Sequence, residues 1–254
     1  MRTLRVAPTM DRTDTGGSER KEMLGPRGIQ LAVKRCVDVA LAGIAITLTA
    51  PLTFAVAVAI RLSMGKPVLY AQLRPGLDER PIKVWKFRTM TQDRGPDGAL
   101  LPDRDRLTTL GRFLREHSFD ELPQLFNILI GNMSIVGPRP LLTRYLPRYT
   151  PRQRSRQRMK PGVTGWAQVN GRNALDWHSR LELDVWYVEH FSLLLDLKIM
   201  LLTVRRLVTR EGVLPGAGAD LDEYWGSAGP PPNGPRAFPV ESAERWVGPA
   251  PPKR

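Results

Sequence analysis

Hydrophobic positions along the chain form one unbroken run and several shorter periodic stretches. Residues 37–60 are apolar apart from Asp38, three threonines and Pro51. About twenty apolar residues suffice to cross a bilayer as a helix. Pro51 lies near the middle of the run, where a proline removes a helix hydrogen bond and predicts a kink or break. Lys34 and Arg35 precede the run, and Arg61 and Lys66 follow it. The bias of basic residues toward the cytoplasm places both flanks on that side. A helix that enters, bends at Pro51 and returns satisfies both features; a single span with a tolerated proline stands beside it as the alternative. A buried soluble helix would show a polar face, which this run lacks. A signal peptide would need an n-region longer than thirty residues, although Ala55-Val56-Ala57 superficially offers a cleavage site.

Beyond the run the pattern shortens. Residues 68–72 and 82–87 read as strands joined by a turn at Pro75-Gly76. Residues 91–106, with their Gly, Pro and Asp, read as a mobile loop. Helices are expected over 108–117 and 120–130, the second burying Leu122, Leu125, Phe126, Leu129 and Ile130 on one face. A third, over 193–208, is apolar nearly all round but interrupted by Asp196, Lys198, Arg205 and Arg206. It is expected either at a membrane interface with its basic groups toward lipid phosphates, or in the core. Residues 1–27 read as a flexible leader and 214–254 as a Pro- and Gly-rich, disordered tail. The expected class is α+β, mostly α-helical, with a membrane helix over 28–64 and a folded body over 65–213.

Composition narrows the partners. Hydrophobic residues make up 42% of the 254, too few for a multi-span membrane protein. Thirty-eight Lys and Arg against 25 Asp and Glu give a formal charge of +13. That excess calls for an anionic partner: nucleic acid, an acidic membrane or phosphorylated substrates. The dense basic run Arg152, Arg154, Arg156, Arg158 and Lys160 is the strongest hint of nucleic acid. No nucleic-acid fold accompanies it, and a patch beside anionic lipid explains the same charges. Cys36 is the sole cysteine, which excludes an internal disulfide and a Cys-based zinc site, and His117, His178 and His190 lack metal-ligand spacing.

The densest candidate chemistry is Arg115-Glu116-His117-Ser118-Phe119-Asp120-Glu121-Leu122-Pro123-Gln124. Two adjacent carboxylates open an expected helix, with Arg112 and Arg115 upstream. A carboxylate is a competent nucleophile toward phosphorus, forming an acyl phosphate that a second acceptor discharges. Ser118 and Glu121 also have the spacing of a capping box, which on spacing alone explains them as well. Downstream, Gly137-Pro138-Arg139-Pro140 holds an arginine in a rigid turn suited to an anionic or planar ligand. The glycine-punctuated stretch 160–173 could line a nucleotide pocket or link two helices.

Taken together, these strings resemble the bacterial sugar transferase family, the monotopic polyprenyl-phosphate phosphoglycosyl transferases. The resemblance runs over residues 34–213. It is carried by Lys34-Arg35-Cys36-Val37-Asp38, Trp85-Lys86-Phe87-Arg88-Thr89-Met90, Asp120-Glu121-Leu122-Pro123-Gln124, residues 131–140, residues 160–173 and Leu181-Glu182-Leu183-Asp184-Val185-Trp186-Tyr187. It implies a re-entrant membrane helix and a catalytic domain on the cytoplasmic face of the bacterial inner membrane. It implies Asp120 as nucleophile and metal ligand, Glu121 as its dyad partner, and Mg2+ as cofactor. The implied reaction moves a sugar-1-phosphate from a UDP-sugar to polyprenyl (undecaprenyl) phosphate, releases UMP and initiates exopolysaccharide or another surface glycan. Arg115 would contact phosphate and Arg139 the uridine, with Lys86, Arg88 and Arg172 as further substrate-binding candidates. Nucleic acid is not an expected partner, inner-membrane lipids are, and a homodimer stays open. The chain resembles the family's short form. It departs from the family's Ser-Pro break in having Ala50-Pro51, where Thr47 or Thr49 would have to supply the missing hydroxyl.

Overall fold

The computed structural model describes residues 26–171 and 175–209, together with Tyr224 and Gly226. The expected leader lies outside these residues except for its last two, as does Arg172. The apolar run forms one continuous helix, α1, Pro26–Ser63, with Pro51 inside it. Thr47 and Thr49 bond to the Gly43 and Ala45 carbonyls, one turn back. They satisfy their own turns, a pattern that bends helices, and neither reaches the carbonyl that Pro51 frees.

Strands β1 (Leu69–Pro75) and β2 (Pro81–Phe87) form an antiparallel hairpin with Leu69 opposite Phe87. The expected loop is partly structured: a bridge pairs Arg94 with Leu100, and a short helix α2 covers Asp103–Arg106. Helix α3, Thr109–Glu116, begins where the Thr108 hydroxyl accepts the Gly111 N–H. Gly111 allows close packing, because a Cβ there would run into the Thr89 carbonyl. The helix expected over 120–130 is divided: a 3-10 turn, Phe119–Glu121, precedes α4, Gln124–Leu129. Strands β3 (Ser134–Val136) and β4 (Gly162–Thr164) pair in parallel. Their connection holds a 3-10 segment, Thr143–Arg148, helix α5 (Pro151–Arg154) and a second 3-10 turn, Ser155–Arg158. Helices α6 (Trp166–Val169), α7 (Trp177–Glu189) and α8 (Leu193–Thr209) complete a mostly helical α+β body.

Helix α1 packs on this body at both ends. Ala42 joins Val84, Ile128 and Met133, whereas Val56 and Ile60 join Phe87 and Leu114. Between them the helix is bare, with Leu48 75% and Phe54 72% exposed. Lys34 binds Asp196 of α8 at 2.5 Å and the Val136 carbonyl at 2.9 Å. Helix α8 carries features of both expectations: Asp196 and Ile199 are buried, while Leu194, Leu197, Leu201 and Val204 form an outward stripe. Of the expected tail only Tyr224 and Gly226 lie among the described residues, and Tyr224 is buried among Tyr145, Tyr149 and Trp177.

Removing one partner of a buried ion pair leaves an uncompensated charge, which costs about 3–5 kcal/mol. Asp196→Ala should therefore lower the unfolding temperature markedly, and Lys34→Met combined with Asp196→Leu should recover most of the loss. A denaturation curve for Asp196→Ala that overlays wild type would contradict the fastening role.

Candidate active site

Helix α3 stops at Ser118, which takes a left-handed conformation (φ 58°) and caps nothing with its side chain. The capping-box alternative is thus not realised. The stop is supported by ring contacts of His117 with Phe113 and Phe119, at centroid distances of 4.3 and 5.6 Å. The 3-10 turn that follows carries the two acids inward, leaving Asp120 8% exposed. From β2, Lys86 Nζ reaches Glu121 Oε1 at 2.7 Å and Asp120 Oδ2 at 3.4 Å. Arg139 Nη2 meets the same Glu121 oxygen at 2.8 Å.

The two carboxyls are driven apart electrostatically. Burial pushes the Asp120 carboxyl above its ordinary value; Lys86 opposes that and the charge of Glu121 adds to it. Burial also pushes Glu121 upward, but Arg139 and Lys86 outweigh it and hold that group well below the usual carboxylate range. Glu121 is thereby held as the anion, and of the two carboxyls Asp120 is the easier to protonate.

Four expected residues meet here: Asp120, Glu121, Lys86 and Arg139. Arg115 lies close enough to stabilise the Asp120 anion while its Nε donates to Thr89 Oγ1 at 3.0 Å. Arg88 has a different position: its buried guanidinium donates to the carbonyls of Met64, Gly65 and Lys66. It braces the chain leaving α1: Arg88 lies just past the end of β2, where the strand alternation that would put it on the face of Lys86 no longer holds. The stretch 160–173 supplies β4 and α6, and a Cβ on Gly162 would run into Gly137, so its glycines serve close backbone approach.

Sequence reasoning read Arg156 only as part of a basic surface run and gave Asp184 no role of its own. Both are 1% exposed and joined at 2.5 Å, and Arg156 also donates to the Arg139 carbonyl at 2.6 Å. Asp184 was legible as an acid on the apolar face Leu181, Val185 and Val188 of α7. Arg74 was also missed. Burial, with Arg139 and Arg144 nearby, draws its guanidinium down to about 10. Burial and Arg139 likewise lower Arg180, against the pull of Asp184. Cations crowded in this way beside a dyad favour an anionic ligand. An open groove lined by Arg152, Ser179, Glu182, Leu183 and Trp186 lies on the other face of α7 and contains none of these groups.

Among the described residues no three His, Cys, Asp or Glu side chains gather as a metal cage. Mg2+ needs less, being held by one or two carboxylates together with waters and substrate phosphates. Asp120 Oδ1 and Glu121 Oε2 accept no hydrogen bond among the described residues, so these hard oxygen donors fit that ion.

Comparison with known proteins gives a consistent result. The profile described as bacterial sugar transferase matches residues 29–210. The chain is 48% identical over 197 residues to the uncharacterized sugar transferase EpsL of Bacillus subtilis (strain 168), covering 78% of this chain and 98% of that one. It is 40% identical over 187 residues to the UDP-glucose:undecaprenyl-phosphate glucose-1-phosphate transferase of Klebsiella pneumoniae, covering 70% of this chain and 40% of the relative. With the UDP-N-acetylgalactosamine-undecaprenyl-phosphate N-acetylgalactosaminephosphotransferase of Aeromonas hydrophila, identity is 38% over 195 residues, covering 74% and 46%. The chain thus spans less than half of the last two.

The electrostatic assignment is measurable directly. In carbon-13 spectra of Asp-labelled protein, the signal lost in Asp120→Asn should titrate above the ordinary Asp range. Lys86 lowers this pKa, so Lys86→Gln should move the midpoint to still higher pH. A midpoint that stays put or falls would show that Lys86 does not stabilise the Asp120 anion.

Proposed function

Because the chain belongs to the bacterial sugar transferase family, we propose that it moves a sugar-1-phosphate from a UDP-sugar to undecaprenyl phosphate through a covalent aspartyl intermediate. The observation that carries this reading is the buried dyad, one carboxyl fixed as an anion and the other free to ionise. An oxygen of ionised Asp120 attacks the sugar-side phosphorus of the diphosphate. The bond from that phosphorus to the bridging oxygen breaks, and UMP departs with the electron pair. An oxygen of the lipid phosphate then attacks the same phosphorus and releases the Asp120 carboxylate. The product is a polyprenyl-diphosphate-sugar that begins a surface glycan.

Glu121 holds Lys86 and Arg139 beside the reacting group, and Arg115 adds positive charge on the Asp120 side. Fixed cations aimed at a transferring phosphoryl group act strongly in a site shielded from water. Mg2+, when held by Asp120 and Glu121, would neutralise diphosphate charge. Arg139 meets the phosphate end of the donor in this reading, because its guanidinium is bound to Glu121; Arg74 and Arg180 widen the cationic wall.

The membrane arrangement follows the same logic. Helix α1 is the one described helix long and apolar enough to cross a bilayer, with only 11% of its most apolar window buried. Both of its ends are packed on one polar body, which supports a re-entrant helix rather than a span with ends on opposite sides. Basic residues at both flanks favour the cytoplasmic face, and the outward leucines of α8 suit the interface. The basic run does not favour nucleic acid: Arg156 is buried on Asp184, while Arg152 pairs with Glu182 and Glu189 and Arg154 with Glu79.

The test is UMP release from a panel of UDP-sugars, with detergent-solubilised protein, undecaprenyl phosphate and Mg2+. Turnover should require the lipid and fall by at least about 10⁴-fold in Asp120→Asn, with folding preserved. Normal turnover in that variant would sink the nucleophile assignment. Arg139→Ala should lower kcat/KM for the nucleotide sugar by roughly 10²-fold, with the apparent KM for the lipid little changed. A defect confined to the lipid would remove Arg139 from the donor site.

A further inference from the structure

A second cationic site lies where α1 enters the body, and the dyad does not use it. Gly131, just after α4, has a φ of +87°. A side chain there would begin 3.4 Å from Arg35 Nη2 and 3.6 Å from Lys160 Nζ. Glycine thus permits the turn and leaves the space between two cations open. Arg35 donates to the Ile128 and Leu129 carbonyls at 2.5 and 2.7 Å, which fixes its plane and engages two of its five N–H donors. Lys160 is half-buried and makes no hydrogen bond or ion pair among the described residues.

The charges facing this pair do not neutralise it. Asp38 on α1 is the nearby carboxylate; it favours the Lys160 cation but bonds to the Ile135 N–H at 3.0 Å. Lys34 and Asp196 satisfy each other. Burial, and then the repulsion of Arg35, lower the Lys160 pKa. Two half-buried cations therefore have one carboxylate nearby, and that carboxylate is bonded elsewhere.

The elements that carry this pair also carry exposed apolar side chains. Ile130 adjoins the gap and is 65% exposed, Phe126 one turn earlier is 51% exposed, and Val39 is exposed on α1. A soluble anion would gain nothing from that apolar rim. A phospholipid would place acyl chains on it and its phosphate between the cations. We infer that Arg35 and Lys160 form a binding site for the phosphate of an anionic phospholipid at the foot of α1.

Native mass spectrometry of the full chain, released from detergent and titrated with phosphatidylglycerol, tests this without any nucleotide sugar, so its outcome is independent of the proposed reaction. Wild type should take up one phosphatidylglycerol with clear preference over phosphatidylcholine. Lys160→Gln should weaken that uptake about fivefold, the effect of one basic residue at a membrane surface. Lys160→Arg should retain it, and Arg158→Gln, an exposed cation of the same basic run, should leave it unchanged. Equal uptake by Lys160→Gln and wild type overturns the site. Equal weakening by Arg158→Gln reduces it to general surface charge and also overturns it. Inorganic phosphate that displaces the lipid at matching concentration would show a soluble-anion site and overturn the lipid assignment.

Discussion

The Lys34–Asp196 ion pair fixes the apolar helix to the charged body, and much of the remaining geometry depends on it. A buried ammonium is costly unless its donors are satisfied. Here one donates to the Asp196 carboxylate at 2.5 Å and another to the Val136 carbonyl at 2.9 Å. Tyr187 donates to the other Asp196 oxygen at 2.7 Å, so α1, α7, α8 and β3 meet at one polar knot. One turn along α1, Asp38 accepts the Ile135 N–H. Both contacts place β3, and β3 leads directly into the turn that carries Arg139. The orientation of a membrane helix and the position of an active-site cation are thereby set by the same bonds.

A second buried pair repeats that arrangement nearer the chemistry. Arg156 bridges Asp184 and the Arg139 carbonyl, so α7 holds the turn from behind while Glu121 holds its guanidinium from the front. Arg139 is therefore held in place on both sides, which in the proposed reaction would leave it little to reorganise as charge develops at the dyad. Ordering Arg139 this way requires burying Arg156 and Asp184, and an unpartnered Asp184 Oδ1 is the residual cost.

The features legible in the sequence were those whose cause is local. The hairpin 69–87 follows from short apolar runs around a turn, and α1 from an uninterrupted apolar stretch. Asp120 and Glu121 stood out because two carboxylates lay beside arginines, and Arg139 because prolines flank it. Less legible were choices settled by partners distant in sequence. Nothing near Arg88 indicates that it turns toward carbonyls of residues 64–66, while Lys86 two positions earlier turns toward the dyad. The expected helix from 120 to 130 starts as a 3-10 turn and becomes α-helical only at Gln124, after Pro123, which has no N–H to donate to the turn before it. Asp184 could have been found as an acid on an apolar helix face, but its partner Arg156 was concealed within a run of arginines that read as surface.

The link between membrane and chemistry lies in alternation along the chain. Phe87, Leu114, Phe119 and Leu122 pack in the cluster that receives Val56 and Ile60 of α1. Their immediate neighbours are Lys86, Arg115, Asp120 and Glu121, the charged set of the site. In each pair one residue packs toward α1 and the next lies at or beside the dyad. Successive side chains point to opposite faces in a strand and about 120° apart in a 3-10 turn, so neighbours can serve two surfaces at once. Charged groups within a layer one residue thick of an apolar helix are what a reaction on a lipid-borne phosphate requires, since its headgroup is polar and its chain is not. In the proposed arrangement the apolar contacts of α1 set the depth at which the dyad lies, and shifting that helix along its axis would move the dyad with it.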